Sequence, residues 1–218
     1  MNGMDKAVLD GFRTVAIASI ADALDKATGR RGYMAEAMKN RINAKRMVGP
    51  AVTVLHAPTK EFLPPQAALE AIDESPAGSV ICIGMHGDID VAVWGGLMSA
   101  GAFARKHAGA VLDAGVRDLA EIRRDYDLPI FARCVSPGTS LGRTRTIAAG
   151  IPVMVGGLVV SPGDIIVGDE DGVCVVPPDA AAEVLRLAQE IDAREAEQAK
   201  LIVASGSLRE GLAKYGRI

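Results

Sequence analysis

Aromatic residues make up only 4% of this 218-residue chain, with one Trp, three Tyr and four Phe. Its core must therefore be assembled from Val, Ile, Leu, Ala and Met. The same scarcity, with a formal net charge of −3 and a pI near 5.7, removes the basic face and the stacking platform that nucleic-acid binding uses. No direct nucleic-acid partner is expected. Long apolar runs are also missing: no segment reaches membrane-spanning length, and the opening MNGMDKAVLDGF is charged where a signal peptide needs an apolar stretch. The expectation is a cytoplasmic protein with no membrane partner. Cysteine is sparse, and Cys82, Cys134 and Cys174 each sit in or beside a short apolar run, which reads as free thiols acting as small hydrophobes in a reducing compartment.

What is present is 49% hydrophobic residues, 23% charged residues and 24 Gly, the profile of a globular chain large enough to do without disulfides or a structural metal. Ile17, Ile20, Ala21 and Leu24 recur at helical spacing and predict one helix over Ala7–Ala27, stopped by Gly29. The basic stretch Arg30–Arg46 has no clean period and reads as a surface excursion. AVTVLHA, Ala51–Ala57, has strand character between Gly49-Pro50 and Pro58. A short helix over Gln66–Ile72, a strand at Ser79–Ile83, a helix over Leu97–His107 and a strand at Gly109–Leu112 continue an alternating pattern. From Leu128 the texture changes to short β runs separated by Gly and Pro, and a long helix from Asp179, its expected N-cap, to Ser205 closes the chain. The predicted fold class is α/β with mixed sheets, in a single domain spanning 1–218.

The run AGAVLDAGVRD, Ala108–Asp118, starts as a buried strand and ends in Asp113, Gly115, Arg117 and Asp118. Charges are costly to bury, so either these groups lie in solvent or they converge on a ligand. In the first case Asp118 caps a helix running through Ile122 and Arg117 is a solvated cation. In the second, the first-turn amides after Gly95 and Gly96 point at an anion, Arg117 offers a planar fork to a carboxylate or enolate, and Asp118 offers a hard oxygen to a magnesium-like ion. The residues alone leave both open. His86, Asp88 and Asp90, and likewise Asp164, Asp169 and Asp171, read as solvated turns rather than metal sites. Neither Ser19 nor Ser136 has a histidine at motif spacing, so no hydrolase triad is indicated. No lysine lies inside a clear apolar strand, which ranks a Schiff-base aldolase low, and no strand leads into a G-x-G-x-x-G loop for a methyl donor. On the last helix, at ~100° per residue, Val184, Leu187, Ala188, Ile191, Gln198 and Ile202 share one side, and Glu195 falls among them. It either pairs with an arginine at a subunit contact or serves the site.

WGGLMSAGAFARKHAGAVLDAGVRD, followed by PIFARCVSP and PGDIIVGDEDGVCVVP, together with ASIADAL near the start, resembles the RraA-like family, which includes divalent-metal-dependent 4-hydroxy-4-methyl-2-oxoglutarate aldolases. The resemblance implies an α/β/β/α sandwich of the swivelling β/β/α type, assembled as a homotrimer or homohexamer with active sites between subunits. It implies that Arg117 contacts a pyruvate-like ligand, that Asp118 binds the metal, that the amides around Gly95, Gly96, Leu97 and Met98 hold the ligand carboxylate, and that Glu195 acts from a neighbouring subunit. The metal would be magnesium, or manganese. Function is then a lyase on a small 2-oxo acid, by aldol cleavage or by oxaloacetate decarboxylation through a pyruvate enolate. The alternative within the family is a protein-binding regulator of ribonuclease activity without catalysis. One departure stands out: Gly96 occupies the place where those aldolases carry an acid that holds water on the metal. An aspartate introduced at Gly96 is therefore expected to tighten magnesium binding.

Overall fold

Side chains alternate across a β-strand, so each strand with both faces buried must serve two different cores. The computed structural model, which describes residues 6–87 and 90–216, is built on that rule. Its first half contains α1 (Lys6–Phe12), α2 (Ile17–Thr28), β1 (Lys39–Asn40), β2 (Met47–Pro58), α3 (Gln66–Glu74), β3 (Val80–Met85), β4 (Ala92–Trp94), α4 (Gly96–Ala104) and β5 (Gly109–Val116). There follow α5 (Leu119–Asp125), β6 (Ile130–Val135), β7 (Thr144–Ala149), β8 (Val153–Val155), β9 (Leu158–Val160), β10 (Ile165–Gly168), β11 (Val173–Val176), α6 (Ala181–Ser205) and α7 (Leu208–Tyr215).

Strand β2 is the pivot. Met47–Pro50 pair antiparallel with β10, while Ala51–His56 pair parallel with β3. One mixed sheet therefore runs in the order β1-β6-β5-β3-β2-β10-β11, with β4 added beside β5 and β7 beside β2, and β8–β9 forms a separate hairpin. Ile81, Ile83, Ala110, Leu112 and Ile130 face α3, α4 and α5 in one core. The intervening residues Cys82, Val111 and Phe131 face the opposite way, onto Ile166, Val173 and Val175 of β10–β11 and onto the β8–β9 hairpin. On β10–β11, Ile165, Val167, Cys174 and Val176 then meet α1, α2 and α6 in a third core. The sheet curls so that its two halves face each other, giving the expected α/β/β/α layering. Buried in these layers, Cys82 and Cys174 are free thiols whose pKa is raised by desolvation, that of Cys174 to about 12, which keeps them protonated and unreactive.

Several boundaries differ from the sequence reading for tertiary reasons. The first helix is two, because the chain turns at Arg13–Thr14 and Ala16 donates its amide to Asp192 Oδ2 at 3.0 Å, a contact with α6 that periodicity cannot reveal. The closing helix begins at Ala181 with Ala180 as N-cap and no side-chain cap bond, so Asp179 does not cap it. Helix α7 was not anticipated, although Ser207 accepts a bond from the Glu210 amide at 3.2 Å and Ser-x-x-Glu is a capping signal. Arg30–Arg46 is not a surface excursion throughout: Met34, Met38 and Ile42 are buried, and Arg41 donates to the carbonyls of Ala37, Ala132 and Arg133. Its order comes from partners distant in the sequence, which leave no period. Among the described residues no helix is long and apolar enough to cross a membrane.

His56 of β2 has no solvent exposure, its Nδ1 lies 3.3 Å from Thr144 Oγ1, and its Nε2 has no hydrogen-bond partner among the described residues. Desolvation lowers its pKa from 6.5 to about 4. Between those values the unfolded chain binds the proton more readily than the folded one, so stability falls as pH drops from about 6.5 towards 4, by roughly 3 kcal/mol in all. Urea denaturation across this range should show that acid limb, and His56→Phe should flatten it. An unchanged slope in the variant would assign the limb to carboxylates instead.

Candidate active site

Strand β5 ends in the charged residues because β4 lies beside it. Ala92 pairs with Gly115 and Trp94 with Val116, and the Arg117 amide donates to the Trp94 carbonyl at 3.0 Å. This pairing sets Gly95 and Gly96 opposite Arg117 and Asp118. Gly115 is needed here for close approach and not for a turn: it lies within β5, and a Cβ there would come 2.8 Å from the Val91 carbonyl oxygen. The entry into α4 is held from below. Buried Trp94 donates through Nε1 to Ser99 Oγ at 2.8 Å, and Ser99 Oγ donates to the Gly95 carbonyl at 3.0 Å.

Asp118 decides between the two readings of its role in the sequence. It occupies the N-cap position of α5, yet its side chain makes no capping bond. Its backbone adopts the left-handed conformation, φ 61° and ψ 33°, which costs a non-glycine residue on the order of 1 kcal/mol. Asp118 Oδ2 instead accepts from the Gly96 amide at 2.9 Å, and Arg117 Nε stands 3.6 Å from the same oxygen. A carboxylate and a guanidinium, both about 40% exposed, thus meet at the N-terminus of α4.

The bond also revises which amides are free. Gly96 is occupied by Asp118, so of the amides expected to grip an anion, those of Leu97 and Met98 remain without an acceptor inside the helix. On α4, Gly96, Ser99 and Ala102 are buried, while Leu97 is 90% exposed, so the apolar face that Leu97, Ala100, Gly101 and Ala104 make at helical spacing is not the one that packs. Gly95, Gly96, Leu97, Met98, Arg117 and Asp118 all line one cleft of about 280 Å³, near the small end of the range for ligand sites. A larger hollow of about 630 Å³ borders Arg30, Arg31 and Asp164 and shares none of these residues.

The two glycines are spaces that acids fill. A Cβ on Gly95 would lie 2.6 Å from Asp118 Oδ2, and one on Gly96 would lie 2.7 Å from Glu121 Cδ. Glu121, half-buried in the first turn of α5, therefore sets its carboxylate against the residue where an acid was missing. Sequence reading passed over Glu121. The signal was Asp118-x-x-Glu121, capping-box spacing whose cap bond is not made.

Other expected residues lie apart. Glu195 is exposed on α6, although it falls on the same side as the buried Val184, Leu187, Ala188, Ile191 and Gln198, and it does not border the cleft. Asp164 accepts from the Ser161 amide and Asp169 from the Asp171 amide, the turn roles expected of them, and Asp169 also pairs with Arg46 at 3.0 Å. Asp88 lies outside the described residues. Among the described residues no group of three or more His, Cys, Asp or Glu could hold a metal. Asp118 and Glu121 still suit a magnesium-like ion, which takes one or two protein carboxylates and fills its other positions with water and substrate.

A mixed α/β fold that gathers a carboxylate, an arginine and free helix amides at a strand's carboxyl end offers the groups a small anion could bind. Residues 17–175 match the family model described as RraA-like, Aldolase/RraA, and the chain belongs to that family. It is 32% identical over 194 residues, 88% of this chain and 86% of the relative, to a Halalkalibacterium halodurans protein named "Putative 4-hydroxy-4-methyl-2-oxoglutarate aldolase". It is 35% identical over 196 residues to protein DlpA of Legionella pneumophila, but spans only 31% of that longer chain. The solved structure of an uncharacterized protein from Pseudomonas syringae pv. tomato superimposes with a TM-score of 0.87 at 30% identity, covering 98% of this chain and 96% of that one. Streptomyces coelicolor RraAS2, described as an unusual member of the RNase ES inhibitor RraA family, gives 0.83 at 26% identity, covering 92% of this chain and all of that one.

If Glu121 fills the place of an acid at residue 96, Gly96→Ala should push that carboxylate aside while leaving the fold intact, because only the end of a flexible side chain has to move. Calorimetric titration with magnesium should show Gly96→Ala and Glu121→Gln each weakening binding about tenfold, with the double variant no weaker than either alone. For the same reason Gly96→Asp exchanges one carboxylate for another and should not tighten binding as the sequence suggested. Additive losses would separate Glu121 from the ion.

Proposed function

We propose that this protein is a divalent-metal-dependent lyase acting on 2-oxo acids, a class II pyruvate aldolase that also decarboxylates oxaloacetate. The observation that carries this reading is Asp118, strained into a left-handed conformation and turned from its helix cap into a cleft beside Arg117. Relatives named as aldolases support the reaction class.

A divalent cation, magnesium or manganese, held by Asp118 supplies Lewis-acid polarisation of the substrate's 2-oxo group when bound. The Leu97 and Met98 amides bind the substrate carboxylate at the positive end of α4. Arg117 lies along the 2-oxo and carboxylate oxygens with its planar fork and stabilises the negative charge that develops as the enolate forms. In cleavage the C3–C4 bond breaks, its electron pair passes to C3 of the pyruvate enolate, and the C4 hydroxyl gives up its proton as C4 becomes a carbonyl. In oxaloacetate the same bond breaks with loss of carbon dioxide. Glu121, against Gly96, holds the water that takes or returns these protons. Glu195 of a neighbouring copy in a homotrimer or homohexamer completes the acidic shell.

Asp118→Asn should abolish metal-dependent pyruvate release from oxaloacetate while leaving the unfolding midpoint nearly unchanged, since an amide is a poor ligand for a hard cation. Activity close to that of the unmodified protein at saturating magnesium would remove Asp118 from the chemistry.

Arg117→Lys should lower turnover by roughly 10²-fold, because a point charge on a flexible stem cannot reproduce a two-pronged contact. Full turnover with unchanged pyruvate inhibition would make Arg117 a solvent-facing residue.

A further inference from the structure

Only part of the cleft is polar. Beyond the end formed by Gly95, Gly96, Arg117 and Asp118, it is walled by Pro64, Pro65 and Leu69 from the entry to α3, and by Thr139, Ser140 and Leu141 from the loop before β7. These two segments are tied together: the Thr59 amide donates to the Arg143 carbonyl at 2.8 Å, and a Cβ on Gly142 would lie 3.0 Å from Phe62 Cζ. The large apolar side chains of the lining, Leu69 and Leu141, are partly exposed, as is Leu97 on the α4 side. We infer that this outer half of the cleft selects 2-oxo acids whose substituent at C4 is uncharged and apolar, with Leu69 and Leu141 as the specificity-determining contacts. The inference rests on the lyase reading for the polar end and names its substrate class.

Charge argues the same way. Arg117 is the one cation among the described residues that line the cleft. With a divalent ion it offsets Asp118, Glu121 and the carboxylate of the pyruvate portion, and Glu195 of a neighbouring copy would add a further negative charge, so a carboxylate carried beyond C4 would lie unpaired against leucine and proline. The nearby cations do not line the cleft. Arg143 donates to the Thr139 carbonyl at 3.1 Å, Arg145 stands 3.4 Å from Glu61, and Arg123 donates to the Ile42 and Arg41 carbonyls. An apolar tail, by contrast, removes exposed leucine surface from water and leaves no polar group without a partner. The Thr139 and Ser140 hydroxyls can accommodate the C4 hydroxyl without adding charge.

The full-length protein with manganese or magnesium is assayed for pyruvate release from 4-hydroxy-2-oxo acids that differ only at C4, carrying a propyl or phenyl group or a carboxymethyl group. The neutral tails should give kcat/KM at least tenfold above the carboxylated one, and Leu69→Arg or Leu141→Arg should narrow or reverse that ratio by about tenfold. In parallel, calorimetry compares 2-oxo-4-phenylbutanoate with 2-oxoglutarate on the unmodified protein, where the apolar ligand should bind at least tenfold more tightly. Equal or tighter binding of 2-oxoglutarate overturns the inference and leaves catalysis standing. The same holds if the apolar rim is covered by a second copy of the chain, since tail preference would then vanish. No pyruvate from any substrate, oxaloacetate included, defeats the lyase reading, and the binding ratio still decides what the cleft selects.

Discussion

The hydrogen bond from the Gly96 amide to Asp118 Oδ2 joins the two chain segments on which the site depends. It spans the gap between the start of α4 and the start of α5, and both helices are aimed by parallel strands lying side by side, β4 and β5. Its cost is a left-handed aspartate and an uncapped α5. Its result is a carboxylate whose position is set by backbone on both sides, the kind of rigid support a ligand site needs to hold its geometry. Trp94 and Ser99 extend that support into the core, so the polar end of the cleft rests on one of the largest fully buried side chains of the protein.

Around that bond the glycines and the acids form a complementary set. Gly95 leaves room for Asp118 and Gly96 for Glu121, so the absence of an acid at residue 96 is matched by one that arrives from the next helix. Carboxylate chemistry can thus be preserved while its place in the chain changes. What matters to a cation is the position of the oxygen atoms, not which α-carbon carries them.

The likeness to proteins named as aldolases and to an unusual member of the RNase ES inhibitor RraA family joins two kinds of name on one fold. Fold alone cannot separate them, because the layers and the curled sheet serve either equally well. The distinction lies in local features: a strained acid, a guanidinium and two free amides at the polar end, and an apolar wall beyond. On the proposed lyase reading, those features form a pocket for a small anion.

Much of this was legible in the chain itself. The alternation of short helices and strands, the β-rich second half and the three buried or half-buried cysteines follow from hydrophobic period, Gly and Pro placement and composition, all local properties. Arg117 and Asp118 could be singled out because a buried strand ending in charge is costly enough to need a reason. Glu195 lies on the expected side of its helix but is exposed there, and Glu121 was overlooked, because a helical period locates a face but not what that face meets. The same limit hid the break between α1 and α2 and the packing of Arg30–Arg46, both held by partners far away in the sequence. The sequence by itself therefore determined the alternating elements, the β-rich second half and the polar strand end. Only the tertiary structure decided that Asp118 forgoes its cap for the Gly96 amide and that Glu121 fills the space beside Gly96, because such choices depend on distances between segments that no spacing along the chain encodes.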